Sequence, residues 1–445
     1  MRGWAWRVGL FVSAFAYAFL MKTPRADTAT LLSLWAGVFL LYGLVFRFKP
    51  ETEFKFLIST AIVLRLIALA ALPTLSDDVY RFIWDGRLLA QGYNPFLYLP
   101  SEILTTPIAV QAGLTDALFQ KLNSPDYYTV YPPLLQGWFA VAGTLGGTND
   151  LATVFWLRLP ILLGEVGTFW LLYRLLILMG KDDNTTRRGV LLYALNPVVI
   201  VELVGNVHYE GLTICFLLAG LYFYKKQKDL PSATFLGLAA GVKLLPLIFL
   251  PALLEKNKGR KNLRYVLGAG IVFVVPFLFF FDAAIVENLS TSLNLYFRRF
   301  EFNASVYYLL REAGTLILGY NPIALIGPFL ALVALSLILF FSWSQRVCLS
   351  LPERWLFVLT TYLLCATTVH PWYVVPLIAL SVLSRFGFPI IWSVLLPLTY
   401  LAYGEAPFYE NLWVVAVEYA VVGGWMAWEV RGLVDHEKGN QKFDL

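Results

Sequence analysis

Two adjacent carboxylates open the most chemically loaded stretch of the chain, SDDVYRFIWDGRLLAQGYNPF at residues 76–96. Read as a helix capped by Ser76 or Asp77 and ended by Gly92, Asn94 and Pro95, it places Asp78, Arg81 and Asp85 at i, i+3 and i+7, on one face. Carboxylates flanking a guanidinium are what a general base beside an anion-binding group requires. Asp77 and Asp78 are therefore candidate bases, Arg81 a candidate phosphate ligand and Asp85 a candidate sugar or acceptor ligand. The plainer reading is an amphipathic helix whose acids only cap its start, which leaves the crowd of aromatic residues unexplained.

Further along, NPVVIVELVGNVHYEG at 196–211 brings Glu202, Asn206, His208 and Glu210 within two helical turns. The pattern is weak for a metal, and no Cys/His spacing elsewhere suggests one; a polar lining for Asn206, His208 and Glu210 around a sugar fits better. Lys243 interrupts the apolar run GLAAGVKLLPLIFLP. A lone lysine there must reach water, by snorkelling, or an anion such as a lipid phosphate. In YFRRFEFNASVYYLLREAG at 296–314, Arg298 and Arg299 are candidate phosphate ligands beside Glu301 and Asn303, and N-A-S at 303–305 also fits a glycosylation acceptor. In VHPWYVV, His370 sits at a turn where Pro371 breaks the helix, and Trp372 and Tyr373 suit either an aromatic belt or a sugar-stacking platform.

These residues have to be positioned by membrane helices. Of 445 residues, 59% are hydrophobic and 14% charged, a balance that excludes an ordinary soluble domain, disorder and a nucleic-acid partner. The three cysteines lie in or beside apolar runs and offer no disulfide framework. A spanning helix needs about 20 apolar residues. Runs near 8–21, 30–46, 56–73, 151–179, 190–204, 211–224, 231–243, 244–254, 265–281, 322–342, 355–369, 374–384, 387–403 and 412–430 read as helices, giving about 11–14 spans once short ones are discounted. The first run, behind Arg2 and Arg7, reads as a retained helix and not as a signal peptide.

Lys/Arg clusters at 47–55, 181–188, 225–228, 256–264 and 346–354 all fall on one side, which the positive-inside rule makes cytoplasmic. The two long polar insertions, 74–150 and 282–321, then face outward, provided that 131–147 lies along the interface without crossing. Arg65 and Glu165 sit midway along their runs at similar depth, so they are expected to pair.

In that order, from SDDVYRFIWDGRLLAQGYNPF through YTVYPPL, LNPVVIVELVGNVHYEG, GVKLLPL and FRRFEFNASVYYLL to ATTVHPWY, the chain resembles the bacterial GT-C glycosyltransferases. Among them it is most similar to the mannosyltransferase-like integral membrane proteins of Bacteroidetes type. The resemblance covers roughly residues 56–430. It implies a single all-α, polytopic transmembrane domain over 1–445 in a bacterial cytoplasmic membrane, with a large first outer loop carrying juxtamembrane helices. It also implies a polyprenyl-phosphate sugar donor, chemistry on the periplasmic side, inversion at the anomeric carbon and a catalytic acid early in the first outer loop, where Asp77 and Asp78 stand, with Asp77 at the usual place. The expected partners are that donor, membrane lipids and a glycan, lipid or protein acceptor, with no cofactor or metal. No sizeable soluble domain follows the last apolar run, unlike in oligosaccharyltransferase-like members, so the resemblance carries no acceptor.

The expected activity is thus hexosyl transfer, with mannose as the hexose, from a polyprenyl phosphate to an acceptor hydroxyl. Lys243, Arg81, Arg298 and Arg299 are expected on the phosphate, and Asp85, Tyr131, Asn206, His208, Glu210, Glu301, Asn303, His370 and Trp372 on sugar or acceptor. The rival from another class is a secondary transporter or lipid flippase using Arg65, Glu165 and Glu202 as a path. Long asymmetric outer loops and the absence of a visible inverted repeat weigh against it.

Overall fold

Apolar runs separated by prolines and short polar turns should give helices of uneven length, and the computed structural model, which describes residues 2–344, 348–404 and 408–441, bears this out. Every regular element among these residues is helical; the one extended pairing is an isolated parallel bridge between Phe302 and Thr368. Helices α1 (Arg2–Leu20) and α2 (Thr28–Arg47) form a hairpin, with Asp27 capping α2 by accepting from Thr30 N at 3.3 Å. Helix α3 (Phe54–Ile67) tightens into a 3-10 turn before the long loop 74–150. That loop carries α4 (Asp78–Ala90), three single-turn helices between 100 and 119, and α5 (Pro133–Gly146).

The long α6 (Asp150–Leu178) returns, followed by α7 (Asp183–Ala194), a π-helical turn at Val199–Gly205, α8 (Glu210–Lys225), α9 (Asp229–Val242) and α10 (Gly259–Val274). The loop 282–321 holds α11 (Ala284–Arg299) and α12 (Val306–Leu318), and α13 (Ile323–Trp343), α14 (Leu351–Cys365), α15 (Pro371–Val382), α16 (Phe388–Leu395) and α17 (Leu412–Gln441) complete the bundle.

Each expected apolar run lands on helix, yet many are broken. Four helices among the described residues, Thr28–Arg47, Asp150–Leu178, Gly259–Phe280 and Ile323–Trp343, are long and apolar enough to cross a membrane unaided. Asp183–Ala194 and Val199–Gly205, bent by 54°, make a fifth if they act together. The expected 11–14 spans thus depend on shorter and interrupted segments. The interruptions have a covalent cause: Pro197, Pro246, Pro251, Pro276 and Pro397 each lack the N–H that would continue an α-helix. The segments 245–253, 275–280 and 396–403 are accordingly 3-10 helix.

Helix α5 has 14 residues, about 21 Å at 1.5 Å per residue, which is short of the roughly 30 Å hydrocarbon layer. It packs on α4 where glycines meet: a Cβ on Gly86 would lie 2.2 Å from the carbonyl oxygen of Phe139, and one on Gly143 2.7 Å from the carbonyl carbon of Gly86. Arg87 locks the crossing, donating to Gly147 O at 3.0 Å and to Asp150 at 2.8 Å.

At depth, Arg65 and Glu165 pair as expected. Arg65 Nη2 and Nε lie 2.7 and 3.0 Å from Glu165 Oε2, while Nη1 donates to Ala61 O and Ala194 O. Tyr193 donates to the other glutamate oxygen at 2.6 Å. Side-chain exposures of 1% and 0% make any broken partner costly. Replacing Glu165 by Gln is expected to destabilise by about 3–5 kcal/mol, seen as a lower unfolding temperature in detergent. The pairwise replacement R65M/E165L should cost less than E165Q alone, and an equal or larger cost would contradict this account.

Candidate active site

The floor of the site is a turn held by one guanidinium. After Asn196 and Pro197 the chain re-forms as the π-turn Val199–Gly205, closed by Asn206 N donating to Val201 O at 2.9 Å. π-turns leave carbonyls poorly satisfied. Arg158, 1% exposed, fills them: it donates to Val204 O at 2.8 Å, Gly205 O at 2.7 Å and Ala71 O at 2.7 Å. Asn206 then accepts from Leu75 N at 3.4 Å and donates to Glu202 at 3.2 Å, so the strands of chain leaving α3 and entering α8 are tied together. Val207 follows with φ +62, a strained conformation for a β-branched residue. It reverses the chain and presents His208.

Upon this floor sits the carboxylate pair. Ser76, buried, accepts weakly from Asp78 N at 3.4 Å and meets His208 Nε2 at 3.2 Å. Asp78 is the first residue of α4 and accepts from Asn123 Nδ2 at 2.8 Å. Asp77 makes no capping bond; its Oδ2 is 2.5 Å from Nη2 of Arg25, with exposures of 34% and 30%. Both carboxylates therefore keep one oxygen without a protein donor.

An aromatic column runs beside them. His208 stacks on Trp372 at 3.7 Å and Trp372 on His370 at 4.4 Å, while His370 meets Phe302 at 4.9 Å with the rings tilted by 30°. Phe302 is placed by the bridge to the turn before α15, with Phe302 N donating to Thr367 O at 3.1 Å and Val369 N to Phe302 O at 2.8 Å. Phe302 also lies 6.1 Å from Tyr403, whose ring the Arg25 guanidinium covers at 4.6 Å. Contacts thus run from Asp77 through Arg25, Tyr403, Phe302, His370, Trp372 and His208 to Ser76, closing a ring next to the starting residue.

Lys243, at the end of α9, forms a close ion pair with Glu210 Oε1 and lies 5.8 Å over the Tyr373 ring. Glu210 Oε2 is buried with no donor. Tyr131 packs edge-on to Phe82 at 4.8 Å, and burial, then the Asp78 charge, hold its hydroxyl well above its usual range. Burial pushes the His370 imidazole down to about 4, with Asp78 opposing and His208 and Lys243 adding to the drop.

Other expected ligands sit elsewhere in the network. Arg81, 3% exposed, donates to Asp85 at 2.8 Å and to Ser124 O and Tyr127 O at 3.0 and 2.7 Å. Asp85, 1% exposed, also accepts from Gln136 at 2.9 Å. The pair is an internal brace between α4, α5 and the loop, with Arg81 Nη2 buried and without a partner among the described residues.

Glu301 and Asn303 flank Phe302 but send their side chains elsewhere: Phe302 sits in the bridge, and Asn303 follows it in the left-handed region at φ +45. Glu301 accepts from Tyr307 at 2.6 Å and Arg311 at 2.5 Å. Asn303 is buried against Glu418, 3.1 Å away, and Glu410 Oε1 accepts from its backbone N–H at 2.6 Å, which also closes the N-A-S pattern to glycosylation. The side chains of Arg298 and Arg299 lie outside the described residues. Among the described residues no three His, Cys, Asp or Glu side chains group closely enough for a metal ion.

Sequence reasoning missed Arg25, Ser76, Arg158, Phe302 and Tyr403. Arg158 carried the signal used for Lys243 and Arg65, a lone charge inside an apolar run; the other four carried none.

With the geometry set, relatives can be compared. A family model described as alpha-(1->6)-mannopyranosyltransferase, N-terminal domain, matches residues 2–255. The chain is 26% identical over 261 residues to alpha-(1->6)-mannopyranosyltransferase A of Mycobacterium tuberculosis, covering 55% of this chain and 48% of that protein. It is 24% identical over 233 residues to alpha-(1->6)-mannopyranosyltransferase A of Corynebacterium glutamicum, covering 49% and 45%. The chain thus spans about half the length of these curated relatives. No solved structure matches it.

The His370 environment makes a pH prediction. Its folded value is about 4 against 6.5 ordinarily, so the unfolded chain binds the extra proton between these limits. Stability from the neutral, buried imidazole is complete above about pH 6.5 and drains away as pH falls towards 4. His370→Phe keeps an aromatic ring and removes the titration. Its unfolding temperature should fall less than that of the wild type between pH 7 and 4.5; parallel curves would refute the assignment.

Proposed function

The chain belongs to the alpha-(1->6)-mannopyranosyltransferase family, and from that premise we propose that it transfers a mannosyl group from a polyprenyl-phosphate mannose to an acceptor hydroxyl at the outer face of the membrane. The observation that carries the reading is the half-exposed pair Asp77 and Asp78, Asp77 ion-paired to Arg25 and Asp78 accepting from Asn123, with the Asp78 charge acting on both Tyr131 and His370. The basic clusters at 47–55 and 225–228 stand at the starts of α3 and α9, the helices whose far ends lead to Asp77 and Lys243, which supports the outer face by the positive-inside rule.

In this reaction the acceptor oxygen attacks the anomeric carbon from the side opposite the phosphate, so the configuration inverts. The O–H proton passes to an aspartate of the pair as the new C–O bond forms. The old C–O bond breaks with its electrons moving to the phosphate, which leaves without needing a second acid, unlike the departing alcohol of a glycosidase. Lys243 stabilises the charge that collects there, exchanging Glu210 for phosphate as counter-anion. Neutral His370 and its stacked neighbours Trp372 and His208 offer faces for the apolar side of a pyranose.

The test is transfer in vitro from polyprenyl-phosphate mannose to a synthetic alkyl α-mannoside, with the glucose and arabinose donors as comparisons. Mannosyl transfer well above the other two is expected, and none from any donor would defeat the reading. Lys243→Ala should raise the KM for the lipid donor by roughly 10- to 100-fold, as loss of a charge-assisted contact of about 1.5–3 kcal/mol demands, and leave the acceptor KM nearly unchanged. Equal donor kinetics in the variant and wild type would return Lys243 to a structural role.

A further inference from the structure

Resting on that reading of the site, we propose that Arg25 is a positioning residue that binds Asp77 as its fixed counter-ion, so that Asp78 alone serves as the base. Arg25 reaches the site from outside the acidic motif. It lies in the short turn between α1 and α2, far from the acidic motif in sequence, yet its Nη2 is 2.5 Å from Asp77 Oδ2. The turn is held there by independent contacts: Thr74 donates to Met21 O at 3.4 Å, and a Cβ on Gly205 would meet the Met21 side chain at 3.7 Å. A Cβ on Gly404 would come within 2.9 Å of Thr28, which brings the start of α2 against the segment bearing Tyr403. The guanidinium is clamped between that ring, at 4.6 Å, and the carboxylate.

The two aspartates are thereby made unequal. Asp77, at the N-cap position, gives the helix no capping bond and spends an oxygen on a cation that the hairpin holds in place. Protonating it would break that ion pair. Asp78 accepts from the neutral amide of Asn123 at 2.8 Å and pairs with no cation among the described residues, and it is the one that acts on both Tyr131 and His370. Asp77 and Arg25 together anchor the turn 74–77 from which α4 begins, and so set the place of Asp78.

The full chain in detergent, assayed with polyprenyl-phosphate mannose and an alkyl α-mannoside, decides the matter. Asp78→Asn should lower kcat by about 10²–10⁴-fold. Asp77→Asn and Arg25→Gln should each lower it by about tenfold, with the donor KM unchanged, because they misplace the base without removing it. The double variant R25Q/D77N should be no slower than the worse single one, since both lose the same ion pair. Arg25→Lys should recover most of the rate, and unfolding temperatures confirm that each variant is folded.

An inactivating D77N beside a mild D78N overturns the assignment, as do multiplying losses in the double variant or a raised donor KM in R25Q. Should R25Q fail to fold, the contrast between D77N and D78N still decides which carboxylate is the base. A wild type inert to the mannosyl donor defeats the functional reading instead, and the inference with it.

Discussion

Everything at the end of this bundle that carries Asp77 and His208 depends on three hydrogen bonds from Arg158. A buried cation normally needs a counter-anion, and Arg158 has none among its bonded partners: it is neutralised by the carbonyl oxygens of Ala71, Val204 and Gly205. Those carbonyls are the negative ends of a 3-10 turn and a π-turn. The arrangement satisfies both parties at once, since the broken helices leave acceptors without donors and the guanidinium supplies donors in a fixed planar fork. Without it, the turn bearing Asp77 and the turn bearing His208 have little reason to stay adjacent.

The same economy recurs through the molecule. Inside a membrane, irregular backbone is tolerated only where protein satisfies it, and here the prolines that break helices are followed by polar side chains that repair them. Asn196 donates to Ser393 at 2.9 Å and accepts from Val198 N at 3.0 Å just ahead of the π-turn. Glu202 accepts from Tyr400 at 2.6 Å as well as from Asn206, so it is fully engaged and is no open step in a permeation path. Arg65 and Glu165 are closed on one another with Tyr193 and two carbonyls. The polar residues that suggest a transporter are therefore accounted for as internal braces.

This explains what the sequence could and could not disclose. Helix positions were legible because apolar length is a one-dimensional property, and so was the Arg65–Glu165 pair, since depth can be counted along two runs. Asp77, Asp78 and Lys243 stood out because charge near a membrane is costly and conspicuous. Arg81 and Asp85 share a helix face as their spacing requires, but that face turns inward, and α5 covers it through the Gly86 and Gly143 contact and the Gln136 amide. Phe302, between Glu301 and Asn303, is the residue that reaches the aromatic column, because Asn303 turns into the left-handed region at φ +45 and its side chain goes to Glu418. Arg25 was invisible, because nothing local marks a residue whose partner lies 52 positions away.

The ring of contacts around the site draws on two parts of the chain with different standing among relatives. Arg25, Ser76, Asp77 and His208 fall within residues 2–255, the stretch that the family model matches, together with Asp78, Glu210 and Lys243. Phe302, His370, Trp372 and Tyr403 fall beyond it. In the proposed reaction the first group handles proton and phosphate, whose chemistry is the same for any lipid-linked hexose, whereas the second supplies the stacking faces, whose fit depends on the shape of the sugar and acceptor. A division of this kind lets the acceptor-facing half diverge while the proton- and phosphate-handling half stays recognisable, provided the two remain joined. The joints are few and specific: the Trp372 ring on His208, the Tyr403 ring under Arg25, and the backbone bridge that brings Phe302 to His370.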